Sequence, residues 1–465
     1  MSFVHPAPQI PDLIARLGAE KVIAAITADL SDKEASTAAE WTHWDKLRHL
    51  PPPGGLSHEQ WWFTIKQARA GTLRPLPLTD PDTGSPFRYA MPDGVLRLLH
   101  LVDQHCAGEI AMPQNILSDD QARQHYLINS VMEEAIRSSQ LEGATTSRRR
   151  AVEMLRTGRP PKDRSEQMIL NNYRALEFMR GMGDTLTPAL VLELHRVVTE
   201  KTLDNPDAAG RLQRADEDRV AVYDIADGSL IHRPPPAELL PERLELLCAF
   251  ANGESDGESF VHPVVRALLL HFWIGYDHPF EDGNGRTARA LFYWSMRESG
   301  YWLTEYLSIS RILRRAPVQY SNSFVYSETD GGDTTYFLLY QLSVIERALL
   351  DLHAYLERKV REIRSVESEI KADGSLNHRQ LALLGDALRT AGRRYTYRSH
   401  AVSHGVTHET ARSDLTRLLE LGYLSMEREG RQHVFRAAVG LAKRMRAKER
   451  PPEADSGFDG RVELI

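Results

Sequence analysis

The amino-acid sequence predicts a mainly α-helical protein with a short β-hairpin among its helices and a compact helix–turn–helix module, with a hairpin of its own, near the C-terminus. Three observations point there. Apolar residues recur at helical spacing through much of the chain between Ser118 and Ala372. The stretch Arg219 to His232 breaks that rhythm with two short β-type runs about Ala226-Asp227-Gly228, and Pro234-Pro235-Pro236 stops it, since proline cannot donate to a ladder. Charge is also uneven: residues 376–446 hold 13 Lys and Arg against 6 Asp and Glu, in a chain whose formal net charge is −7.

At 465 residues the chain exceeds one ordinary core. The texture divides it into an N-terminal helical region (1–110), a central domain (111–355), a linker helix (356–375), the basic module (376–446) and a tail (447–465) that reads as flexible. Hydrophobic content of 42% and charged content of 26% are those of a globular protein. Only Cys106 and Cys248 are present, which speaks against a disulfide framework and for a reducing, cytoplasmic setting. The N-terminus lacks a basic region followed by an apolar run, and the longest apolar stretch, Val264 to Tyr276, is interrupted by Arg266 and His271. No membrane partner is expected.

In chain order, Trp41, Trp44, Trp61 and Trp62 flank the turn Pro51 to Gly55 and read as a small hydrophobic core, with a ligand platform as the sharper alternative. Thr79 to Pro86 reads as a loop. Ser118 and Gln121 form a capping-box pair before a helix carrying Tyr126, Leu127, Val131, Met132, Ala135 and Ile136, and Gly143 ends it. Further helices are expected over 166–182, 188–201, 241–252 and 263–276, from near Gly285, and over 338–372. Gly374 and Ser375 mark a boundary.

The chemistry concentrates in His278-Pro279-Phe280-Glu281-Asp282-Gly283-Asn284-Gly285-Arg286-Thr287-Ala288-Arg289. Gly283 and Gly285 let backbone N–H groups approach an anion, and the following helix offers it a positive end. Arg286 and Arg289, three apart, share a helical face and can neutralise phosphoryl oxygens. Asp282 is a hard oxygen ligand of the kind magnesium takes. His278 can accept a proton from a hydroxyl. Taken singly, each has a plainer reading as cap, turn or solvated face; together they make a phosphate-handling site.

This run matches the motif HxFx(D/E)GNGRxxR, and residues 116–350 resemble the Fic family, more weakly outside the loop. The resemblance implies a Fic-type helical bundle that transfers AMP from ATP to a Ser, Thr or Tyr hydroxyl of a target protein. His278 would be the base and Asp282 the Mg2+ ligand. Gly283, Asn284 and Gly285 would form the anion hole, Arg286 and Arg289 would bind outer phosphates, and Thr287 and Ala288 belong to the same ATP-binding run. Phe280 would anchor the loop, and Tyr320 would contact adenine. A Fic transferase of another phosphate-linked group is the alternative chemistry, and a DNA-binding regulator that senses nucleotide is the alternative class.

Ser138 to Gly143 matches the family's inhibitory pattern (S/T)xxxE(G/N), with Ser138 and Glu142 on one helical face. The resemblance implies that Glu142 reaches Arg289 and blocks productive ATP binding; the plain alternative is a surface carboxylate ending a helix. The hairpin at 220–232 falls where the family has a flap on which a target segment adds a strand, or else is an ordinary surface hairpin.

In the basic module, Tyr397 to His404 reads as a short helix, Gly405-Val406 as a turn, and Thr407 to Leu421 as a second helix. Tyr423 to Phe435, reversing at Glu429-Gly430, reads as a wing. This resembles a winged helix. Thr407, His408 and Arg412 on the recognition helix, with Arg428 and Arg431 on the wing, would meet DNA. Glu409 and Asp414 on that helix favour the other use, protein contact or a homodimer.

Overall fold

In the computed structural model the described residues are 4–27, 41–107, 120–219, 221–223, 230–257, 259–372, 376–389, 393–429, 432–438 and 441. Ser118, the turn 226–228, Gly374, Ser375, Gly430, Arg431 and the tail 447–465 lie outside them. The fold is mainly helical, as the periodicity predicts. The described parts of 1–110 and 127–350 form one compact unit, and those of 111–126 and 351–465 a second.

The first unit begins with α1 (Ile10–Thr27), bent at Gly18, then α2 (Trp44–Leu47) and α3 (His58–Ala70). Ser57 and Gln60 close a capping box on α3. Trp61 and Trp62 are buried with Leu13 and Leu47, and the Trp44 and Trp62 rings lie 6.0 Å apart. The tryptophans therefore pack as core. Next come β1 (Arg74–Thr79) and β2 (Pro86–Tyr89), an antiparallel pair about the expected loop. Its strands escape sequence reading because Pro75, Pro77 and Pro86 argue against a ladder; a two-stranded ribbon tolerates them.

The helices α4 (Asp93–Val102), α5 (Asp120–Leu141, of which residues 120–126 count with the second unit), α6 (Arg148–Thr157), α7 (Arg164–Gly181) and α8 (Pro188–Thr199) follow. Thr187 caps α8, with Pro188 as its first residue. The expected hairpin is β3 (Val222–Tyr223) against β4 (Leu230–His232), antiparallel. Then come α9 (Leu240–Ala251), α10 (Pro263–Asp277), α11 (Asn284–Glu298), α12 (Ile309–Arg315), α13 (Pro317–Thr329) and α14 (Thr335–Ala372), whose residues 351–372 count with the second unit.

Helices α10 and α11 form the centre. Along α10 every residue but Pro263, Arg266 and Gly275 is buried, as a helix apolar on all sides must be. Gly275 admits α13: a Cβ there would lie 2.6 Å from the Phe324 ring. Phe324 in turn packs on Phe272 and Phe337, with ring centroids 5.3 and 4.7 Å away. Among the described residues no helix is long and apolar enough to cross a membrane.

In the second unit, α15 (His378–Arg389) precedes α16 (Tyr397–His404) and α17 (His408–Glu420). Gly405 ends α16 in the left-handed region (φ 61°), and Thr407 caps α17. Strands β5 (Leu424–Glu429) and β6 (Gln432–Ala437) pair antiparallel over their full length. Leu384, Leu415, Leu418 and Phe435 lie in its core. Asp414 points inward, 2.7 Å from Arg379 Nε and 3.1 Å from His400 Nε2, while Thr407, His408, Arg412 and Arg428 are exposed.

Candidate active site: a histidine-led anion loop

The loop between α10 and α11 begins at His278, which sits at φ 43°, ψ 53° and donates its N–H to Ile274 O at 3.0 Å. This left-handed position suits glycine or asparagine; for histidine it costs on the order of 1–2 kcal/mol. Its backbone turns the chain out of the helix, and Pro279 prevents the helix from continuing. The His278 side chain is half-buried.

The loop is stitched internally. Asn284 accepts the Phe280 N–H at 2.9 Å and donates to Phe280 O at 2.8 Å, so its amide closes the turn. Phe280 is fully buried, as expected of an anchor, and stacks on His195 with centroids 3.8 Å apart. The Gly210 N–H donates to His195 Nδ1 at 3.0 Å, so Nε2 carries the proton and donates to Asp282 O at 2.9 Å. Burial holds the His195 pKa down to about 4, so the ring stays neutral and serves as a strut.

Gly283 is required twice over: φ is 87°, and a Cβ would lie 2.8 Å from Thr199 Cγ2. Gly283→Ala is expected to destabilise the protein by roughly 1–3 kcal/mol, measured by chemical denaturation; an unchanged midpoint would show the loop to be slack.

Around this backbone stand the charges. Arg286 is fully buried, donating to Val198 O at 3.1 Å and pairing with Asp282 Oδ2 at 3.2 Å. The Asp282 side chain keeps 41% exposure. Arg289 donates from Nε to Ser138 Oγ at 2.9 Å and from Nη2 to Glu142 Oε1 at 2.7 Å. Its Nη1 is buried with no hydrogen-bond partner among the described residues. A Cβ on Gly285 would strike Glu142, lying 2.9 Å from its Cδ. The carboxylate thus rests on the first turn of α11, where unpaired N–H groups would otherwise meet an anion.

Thr287 and Ala288 are buried, and the Thr287 N–H donates to Gly283 O, so these two pack beneath the loop. Tyr320 is half-buried, its hydroxyl 2.8 Å from His271 Nε2. Burial holds the His271 pKa down to about 3. Among the described residues no group of three His, Cys, Asp or Glu side chains is placed to hold a metal ion.

Sequence reading missed several supporting residues. His195 looks like any histidine in an amphipathic helix. Arg219 donates to Asp277 O at 2.7 Å and His278 O at 3.2 Å. Glu134, one turn before Ser138, is buried and accepts from the Ser308 hydroxyl at 2.9 Å and the Ser310 N–H at 3.1 Å. Its 134/138/142 spacing, a single helical stripe of polar residues, is the one signal that could have drawn attention to it.

Fold and loop together define a helical protein with a glycine-lined anion cradle, led by a histidine and faced by a carboxylate from another helix. Residues 185–296 match the Fic/DOC family, and the chain carries a Fic/DOC domain. It is 29% identical over 171 residues to a protein adenylyltransferase Fic of Nematostella vectensis, covering 35% of this chain and 37% of that protein. It is 30% identical over 169 residues to the protein adenylyltransferase fic-1 of Caenorhabditis elegans, covering 35% and 30%. The match thus spans about a third of these relatives' length. Among solved structures, a Fic family protein from Desulfovibrio desulfuricans aligns with a TM-score of 0.49 at 19% identity, over 75% of this chain and 97% of that one.

Proposed function

We propose that the protein transfers AMP from ATP to a hydroxyl of a target protein and restrains itself through Glu142. The observation that carries this reading is the meeting of Glu142, Arg289 and Gly285 at the start of α11, at the end of the loop that the half-buried His278 begins. The buried Arg289 guanidinium, held by Glu142 in this structure, supports a phosphoryl group as the anion that would replace that carboxylate. The target hydroxyl attacks the α-phosphorus, its proton passes to His278, and the bond to the β-phosphate oxygen breaks so that pyrophosphate leaves. The first-turn N–H groups and Arg286 and Arg289 hold the phosphates in place. Asp282 offers a single, partly exposed carboxylate, which fits a magnesium ion whose other ligands are phosphate oxygens and water. Such an ion would neutralise phosphate charge. The β3–β4 hairpin is the edge on which a target segment would add as a strand.

The test is incorporation from α-labelled ATP with magnesium in a cell extract, followed by intact mass. An AMP-sized addition supports the reading; a phosphate-sized addition would replace it with a kinase.

For the C-terminal module we infer a winged helix that contacts duplex DNA. The internal pairing of Asp414 with Arg379 and His400 removes it from the face that carries Thr407, His408 and Arg412. Arg412→Ala in the full chain is expected to weaken DNA binding uniformly across sequences and to lower the slope of log affinity against log salt by about 1. No DNA binding by the parent at low salt would leave protein contact as the module's role.

A further inference from the structure

The last turn of α10, which presents His278, leaves carbonyls that its own helix does not satisfy. Two arginines and a histidine from outside the helix gather on this turn. Arg219, just before β3, donates to Asp277 O and His278 O. Arg243 on α9 makes two hydrogen bonds to Asp277 Oδ1, at 2.8 and 2.7 Å. His232, at the end of β4, has Nε2 2.6 Å from Tyr276 O and Nδ1 2.7 Å from Glu328 on α13.

His232 differs from the two arginines in that it can lose its charge. A carbonyl oxygen only accepts, so Nε2 must carry a proton. A neutral ring would then turn the lone pair of Nδ1 onto a carboxylate; a doubly protonated ring donates to both. The groups facing it are Glu328 from α13 and Tyr276 and Asp277 from α10, with Asp277 itself held by Arg243. Burial lowers the pKa of His232, but Glu328, the Tyr276 carbonyl and Asp277 outweigh burial and leave it above the ordinary imidazole value.

We propose that His232 is a positioning residue for AMP transfer: as an imidazolium it fastens the β3–β4 hairpin to the helix end that aims His278, and its deprotonation loosens that fastening. This rests on the transfer reading given above. A group whose pKa is raised on folding stabilises the fold below its unfolded value, and that stabilisation is lost as pH rises through the folded value. Transfer therefore carries an alkaline limb set by His232.

The test uses the full chain carrying Glu142→Gly, with single-turnover AMP transfer followed from about pH 6 to pH 9.5. The parent is expected to lose about tenfold at the alkaline end. Adding Glu328→Gln should move the limb toward acid by about one pH unit or more, since it removes the opposite charge. Adding His232→Gln, which keeps a donor for Tyr276 O but does not titrate, should abolish the alkaline limb and leave a lower rate that no longer falls at the alkaline end. A merely structural role would lower rates in both variants without moving the limb, and that result overturns the proposal.

Hydrogen exchange of peptides spanning 217–223 and 272–280, corrected for its intrinsic pH dependence, is the second readout. Protection should fall with rising pH in the parent and not in His232→Gln. If the parent transfers no AMP at any pH yet shows this pH-linked protection, the transfer reading fails and the fastening stands. If protection does not depend on pH, the fastening fails whatever the activity.

Discussion

Glu142→Gly is expected to raise AMP incorporation from α-labelled ATP by about 10- to 100-fold, the range of a coupling free energy of roughly 1–3 kcal/mol. Two effects add. Removing the carboxylate frees the Arg289 Nη2 that it engages at 2.7 Å. It also takes a negative charge off the first turn of α11, where a phosphate would sit. The partner is nearly inaccessible, with the Arg289 side chain 2% exposed against 29% for Glu142, so water screens the pair poorly. Glycine is the informative replacement because it leaves nothing over Gly285. Intact mass of the product and labelling of an extract measure the effect. If Glu142→Gly labels neither itself nor any extract protein, both the restraint and the reaction are wrong.

His278→Ala is expected to lower transfer by about 10²- to 10⁴-fold, as for loss of a general base, while binding of a fluorescent ATP analogue stays within a few-fold of the parent. The cradle is made of backbone, Arg286 and Arg289 rather than of the imidazole. Alanine at φ 43° is no more at ease than histidine, so the backbone cost of the turn is retained. Measuring transfer and binding in the Glu142→Gly background separates the roles. Loss of binding together with loss of folding would make His278 a structural residue.

Much of this site was legible in the sequence because its parts are local. His278 through Arg289 lie within one loop and the first two turns of one helix, so the groups are neighbours along the chain. The approach of Glu142 to Arg289 was named through family resemblance rather than through spacing, since 147 residues separate them. What escaped notice was support from afar. His195 braces Phe280 and Asp282 from α8, Arg219 and His232 close on the end of α10 from the hairpin, and Glu134 is buried against Ser308 and Ser310. Each is a common residue type at an ordinary helix or strand position. The β1–β2 ribbon escaped for another reason: its prolines contradict strand propensity, and only pairing with each other makes extended chain stable there.

The sequence by itself determined the helical framework, the place of the hairpin and the order of groups along the anion loop. Periodicity, caps and glycine positions act within a few residues of one another. Tertiary structure alone decided which helix carbonyls are capped by which cations, that Asp414 turns inward to Arg379, and that His232 lies between a carbonyl and a carboxylate. Those choices depend on burial and on the direction of side chains brought together from distant segments, and a buried polar atom must find a partner wherever packing puts one.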